Sequence, residues 1–152
     1  MKLTEAFDPK LLLLDLAARS KEEALREIAR MISAELDFDE RAIYRLLAQR
    51  EEIGTTGMGE GVAVPHFRVH GLGRPVLGFA RSKGGAEFSA RDGKPVHLFA
   101  ILMAPEGDPA SHLQLLARVA RLLRATDACR RLQEAAGPRD FAKVLAEEDA
   151  RL

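Results

Sequence analysis

His66 stands directly after Pro65, at the end of a segment with glycines at 54, 57, 59 and 61 and threonines at 55 and 56, and Arg50 and Glu51 lie just ahead of that segment. A neutral imidazole attacks an electrophile such as phosphorus near neutral pH and still leaves readily afterwards. A histidine in such rigid, polar surroundings is therefore a candidate phosphoryl carrier or general acid/base. The dianion formed on it must be met by positive charge and hydrogen-bond donors. Arg50, Arg68, the backbone amides between Gly54 and Gly61, and the hydroxyls of Thr55 or Thr56 are the groups at hand. His112 is a second donor, because Asp108 and Pro109 open a helix whose first turn contains it.

Taken singly, each residue has a plainer explanation. Arg50 reads as a solvated helix-end charge, the threonines as turn formers and the glycines as a tight loop; only the cluster points to chemistry. Rival constellations fit less well. His66 and His70 have the spacing of two metal ligands on a helix, but Pro65 and the strand-like residues before it argue against a helix, and no HExxH glutamate is present. The glycine segment lacks the GK[ST] ending of a P-loop, and Gly57, Gly59 and Gly61 do not fit GxGxxG. Ser111 has no GxSxG around it. His97 lies inside an apolar stretch and reads as structural.

These residues need elements to position them. Ser20 and Glu23 form a capping box ahead of Ala24, Ile28, Met31 and Ile32, which predicts a helix over about 21–34. Asp39 caps a second helix carrying Ile43, Leu46 and Leu47 and fading near Glu52. Leu11 to Leu16 suits a strand or a helix equally. Val62–Val64 reads as a short strand stopped by Pro65, which puts His66 at a strand end. Pro75–Ala80 and Val96–Met103 read as strands, the second central and covered on both faces. A helix follows from Pro109 to about Arg124 with Leu116, Val119, Ala120 and Leu123 inward, and His112 on the same face. Asp127 caps a short helix ending at Gly137, and Arg139–Glu148 forms the last. The expected fold is an α/β sandwich, a mixed sheet flanked by helices, in one domain spanning 1–152.

Composition narrows the classes further. The chain has 152 residues, of which 47% are apolar, and 23 basic side chains balance 23 acidic ones. A domain of this length buries roughly 70% of its unfolded surface, enough for a core without staples. The single cysteine, Cys129, excludes an internal disulfide and a thiolate zinc cage, and reads as a small buried residue. Zero net charge with no block of one sign gives no field for nucleic acid or an anionic membrane. The Leu11–Leu14 run is far short of the ~20 residues that span a bilayer, and the first residues do not resemble a signal peptide, so a cytoplasmic location is expected.

Arg50-Glu51, then Gly54-Thr55-Thr56-Gly57-Met58-Gly59-Glu60-Gly61-Val62-Ala63-Val64-Pro65-His66, resembles the signature of the fructose/mannitol-type enzyme IIA domain of the bacterial phosphoenolpyruvate-dependent phosphotransferase system, including its nitrogen-regulatory branch. The likeness runs from the Ser20 helix start through Gly93-Lys94-Pro95-Val96 to His112-Leu113. It implies a phosphoryl-carrier protein in which His66 accepts the group from the phosphohistidine of HPr or a paralogue. It also implies that His112 and Arg50 stabilise the group, that the Gly54–Gly61 loop shapes the pocket, and that the group passes to a IIB component or serves as a regulatory signal. The donor brings the activated group, so no metal or organic cofactor is expected.

The residue after the site histidine is usually small in the family and is Phe67 here, which is expected to narrow partner approach and, with Met58, to stand at the rim of the partner surface. This departure keeps open a rival reading, a protein-binding module without phosphotransfer. With the chain ending at Leu152, no IIB component is expected on it. That ending and the Cys129-Arg130-Arg131-Leu132 segment favour the regulatory branch.

Overall fold

A computed structural model describes residues 1–152. A four-residue helix, α1 (Leu3–Ala6), not anticipated from the sequence, leads into strand β1 (Phe7–Leu13), so the leucine run begins in extended chain. Helix α2 (Lys21–Glu35) starts where the capping box requires: Ser20 accepts from the Glu23 amide, and its hydroxyl donates to the Glu23 carboxylate. Helix α3 (Glu40–Ile53) is capped by Asp39, which accepts from the Ala42 amide at 2.9 Å.

The glycine segment is more regular than expected. Gly57–Gly59 forms β2, paired antiparallel with β3 (Val62–Ala63), and the tip between them is built from three successive residues with positive φ, Gly59, Glu60 and Gly61. Pro65 does not end the extended chain. Strand β4 (His66–Val69) resumes at once, parallel to β6 (Val96–Pro105) and in the register that β3 already holds, so His66 begins a strand instead of ending one. Pro65 has no amide hydrogen to give, yet its carbonyl accepts from Leu102 at 3.0 Å, and the ladder is interrupted without being lost.

Strand β5 (Val76–Ala86) outruns its expected end and pairs antiparallel with β6 and parallel with β1. The mixed sheet has the order β1-β5-β6-β3-β2, with β4 also against β6. Both faces of β6 are covered, as its continuous apolar sequence requires. Phe99, Ile101 and Met103 pack with α2 and α3, while Leu98, Ala100 and Leu102 pack against the helices that follow.

Those helices are α4 (Pro109–Arg124), α5 (Thr126–Glu134) and α6 (Pro138–Asp149). The stripe of α4 is rotated from expectation: Leu115, Val119, Leu122 and Leu123 are buried, whereas Leu116 and Ala120 are only half-buried. Ala125, which carries no capping side chain, stands at the start of α5, and Asp127 sits inside its first turn. The helix stops at Glu134, before Gly137, where the Arg81 guanidinium satisfies the terminal carbonyls of Leu132, Gln133 and Ala135 at 3.1, 2.9 and 2.8 Å. No helix is long and apolar enough to cross a membrane.

Alternation along β3 and β4 decides what faces what. Ala63, Phe67 and Val69 join the core under α2 and α3, and His66 and Arg68 point to the other face, toward α4. Phe67 is 5% exposed. It therefore lies in the core and not at the rim, and it does not narrow the approach to His66.

Candidate functional site

The side chains that meet at His66 come from four parts of the chain: the end of α3, the β2–β3 hairpin, the start of β4 and the first turns of α4. The His66 and His112 rings lie edge to face with centroids 5.5 Å apart. His66 Nδ1 is 2.6 Å from the Val64 carbonyl oxygen, which only accepts, so Nδ1 carries the proton and Nε2 keeps its lone pair. Arg50 Nε donates to that Nε2 at 3.2 Å, and Arg50 Nη1 donates to the Gly54 carbonyl at 2.8 Å.

Both imidazoles are held below their ordinary pKa. For His66, burial is the main cause and the Arg50 charge adds to it, against the opposing effects of the Val64 hydrogen bond and Glu51. For His112, burial leads, followed by His66 and Arg68. Two neutral rings at pH 7 follow, one with an unprotonated nitrogen whose lone pair accepts from Arg50. His112 Nε2 is buried without a hydrogen-bond partner. A buried polar atom of this kind costs about 1–3 kcal/mol as long as no partner reaches it.

The loop ahead of the histidine is built on a buried carboxylate. Glu51 accepts from the Thr56 amide at 3.2 Å and from the Thr56 hydroxyl, and pairs with Lys21 Nζ at 2.9 Å. A buried charge needs this full set of partners. The Thr55 hydroxyl donates to the Phe88 carbonyl at 3.3 Å and accepts from the Gly57 amide at 3.0 Å. Neither threonine hydroxyl is thus free to meet a ligand, and the Thr56 and Gly57 amides are committed as well. Their work is to fix the loop.

A cleft of about 140 Å³ opens at His66, walled by Arg50, Thr55, Thr56, Gly57, Met58, Val64, Arg91, Leu116 and Ala120. Gly54, at the C-cap of α3, stands outside it and orients Arg50. Gly59 and Gly61 also lie outside, at the hairpin tip, where Gly61 accepts from the amides of His97 and Leu98. Arg68 is exposed on β4 and acts on His112 through its charge. His97 is structural, its Nδ1 being 2.9 Å from the Ser82 carbonyl. Cys129 is buried and its thiol is pushed up to about 11 by desolvation.

Sequence reasoning missed Arg91, which walls the cleft from a loop far along the chain; Ser89-Ala90-Arg91-Asp92-Gly93 reads only as a turn. It also missed Ile53 and Leu113, 83% and 69% exposed, at the ends of the two helices that carry Arg50 and His112. Apolar residues just outside a helix's buried stripe were the available signal.

The chain is similar to several known proteins. The chain is 40% identical over 146 residues to a nitrogen regulatory protein of Bradyrhizobium diazoefficiens, covering 96% of this chain and 95% of that one. It is 35% identical to a nitrogen regulatory protein of Pseudomonas aeruginosa, covering 89% and 88%. The crystal structure of nitrogen regulatory protein IIA-Ntr from Neisseria meningitidis superposes with a TM-score of 0.87 at 29% identity, covering 94% of this chain and 98% of that one. The sequence pattern of the phosphoenolpyruvate-dependent sugar phosphotransferase system EIIA 2 family matches residues 5–148, and the chain belongs to that family.

Proposed function

We propose that the protein is a phosphoryl carrier of the regulatory type, charged on His66 Nε2 by the phosphohistidine of an HPr-type protein. The observation that carries this reading is the tautomer imposed on His66: Val64 holds the proton on Nδ1 and leaves Nε2 unprotonated beside an arginine. The Nε2 lone pair attacks phosphorus while the phosphorus–nitrogen bond of the donor breaks, its electron pair returning to the donor ring. No proton is gained or lost overall, since each ring keeps the proton on its other nitrogen. Arg50 leaves the lone pair as the bond forms and its guanidinium turns to the phosphoryl oxygens, where a charge-assisted pair is stronger than its bond to a neutral nitrogen. His112 Nε2 donates its hydrogen to another of these oxygens and so gains its missing partner.

Ile53 and Leu113, with half-buried Met58 and Leu116, give the surface around His66 an apolar rim suited to a partner that presents a phosphohistidine. The long-range likeness to nitrogen regulatory proteins favours a role in which the charged and uncharged forms bind different targets, with transfer to a IIB component as the transport counterpart. Phe67, the one feature that spoke for a module without phosphotransfer, is a core residue. The test is incubation with phosphoenolpyruvate, enzyme I and the cognate HPr-type carrier. An acid-labile, base-stable phosphate is expected on the wild type and absent from His66→Ala; an unlabelled wild type would overturn the reading.

A further inference from the structure

The cleft at His66 has a charge imbalance if it receives a phosphoryl group. That group carries close to two negative charges. Arg50 supplies one positive charge, while His112 brings a donor but is neutral near pH 7 because burial, His66 and Arg68 all hold its pKa down. Arg68, like His112, lies outside the cleft wall. Arg91 is the other arginine in that wall, and it makes no ion pair within the chain.

Its loop is also unusually well tied to the site. The Arg91 amide donates to the Gly57 carbonyl at 3.3 Å. The neighbouring Asp92 carboxylate accepts from the Glu60 amide at 2.9 Å, and the Phe88 carbonyl accepts from the Thr55 hydroxyl. A Cβ on Gly57 would come within 2.9 Å of Ala90 Cα, so the two backbones touch there. The loop around Arg91 is thus fastened at several points to the hairpin that lines the cleft, which fixes where the guanidinium starts from.

We propose that Arg91 is a phosphoryl-contacting residue, the second cation of the site, closing on the equatorial oxygens from the loop that follows β5. This rests on His66 being the phosphoryl acceptor. A guanidinium held there lowers the second ionisation of the phosphoryl group, favouring the dianion.

The test titrates the isolated phosphorylated protein by phosphorus NMR with no partner present, and separately times its charging by the HPr-type carrier. Arg91→Ala is expected to raise the second phosphoryl pKa by about half a unit or more and to slow charging by the carrier about ten-fold, with Arg91→Lys restoring most of both. Arg124→Ala serves as the control, since Arg124 lines an adjoining cavity of about 610 Å³ together with Arg91 but does not reach the His66 cleft. If wild type charges normally and Arg91→Ala titrates like wild type, the assignment is wrong. If only the KM for the carrier rises, Arg91 docks the partner and does not hold the phosphoryl group. A wild type that cannot be charged instead removes the phosphoryl-carrier reading itself.

Discussion

Arg50 Nε donates to His66 Nε2 at 3.2 Å, so in the uncharged protein the arginine occupies the lone pair that would attack phosphorus. A cation in this position penalises protonation of the ring, which makes the nitrogen less basic and keeps it unprotonated near neutral pH. The same side chain is thereby poised to follow the charge when it moves onto the phosphoryl oxygens.

The pH dependence follows chiefly from burial, to which that contact adds for His66. Both histidines titrate below the ordinary 6.5, His66 through burial and then Arg50, His112 through burial and then His66 and Arg68. Phosphoryl acceptance is expected to hold as pH drops past 6.5 and to fail only when it passes the lowered values. In the same window the unfolded chain binds more protons than the folded one, so stability falls as pH drops below about 6.5 and is unaffected by these groups above it. Proton NMR of the imidazoles checks both values. Arg50→Gln should move the His66 midpoint upward, and an unchanged midpoint would assign the shift to burial alone.

Glu51 is the anchor of the loop and not a participant in the chemistry. Glu51→Ala leaves Lys21 and the Thr56 amide and hydroxyl without their acceptor, a loss of about 2–3 kcal/mol with Lys21 still partly solvated. Denaturant unfolding measures it. Activity should fall with the loop's order, and Glu51→Gln, which retains an acceptor oxygen, should recover part of the stability.

Much of the fold could be read from local chemistry, because the capping signals at Ser20, Asp39 and Asp108 act within a few residues and the helices begin there. The continuous apolar run of β6 likewise announced a strand covered on both faces. Reading failed where a distant group decides the outcome. Arg81, on β5, terminates α5 before Gly137, and the Gly57–Gly59 strand exists because Val62–Ala63 folds back on it. Pro65 reads as a strand end, whereas the chain stays extended through it, and the alternation that follows sends residue 67 to the core and residue 66 to α4. The cluster of Arg50, His66 and His112 was legible through its motif and helix phase. Arg91 was not, because only sheet pairing brings its loop to the hairpin.

Gly57→Ala tests whether the contact between hairpin and loop matters to the site. The added methyl would meet the Ala90 backbone at 2.9 Å, and backbone yields less readily than a side-chain tip. A destabilisation of about 1–3 kcal/mol is expected. Because the loop carrying Arg91 must shift, the rate of charging should drop by more than the fraction of unfolded protein accounts for. Single-turnover phosphotransfer at a temperature well below the transition separates the two effects.

Phe67→Leu separates a core role from a gating role. A residue 5% exposed among the side chains beneath α2 and α3 should cost about 1–2 kcal/mol on shortening, visible as a lower Tm. Charging by the carrier should not accelerate, since Phe67 points away from the His66 cleft. Faster charging in this variant would show that the side chain guards the site after all.

Ile53 and Leu113 are the most direct probes of the partner surface. Both are large, apolar and well exposed, at 83% and 69%, and both flank a helix end that delivers a residue to His66. Solvent-exposed positions tolerate substitution within about 0.5 kcal/mol, so Ile53→Glu and Leu113→Glu should leave Tm almost unchanged. An apolar contact replaced by a desolvated carboxylate should raise the KM for the carrier about ten-fold for each, while kcat at saturation and the stability of the phosphohistidine stay near wild type. A fall in kcat with unaltered KM would move these residues from docking to positioning of the reacting groups, and an unchanged KM for both would place the partner on another face.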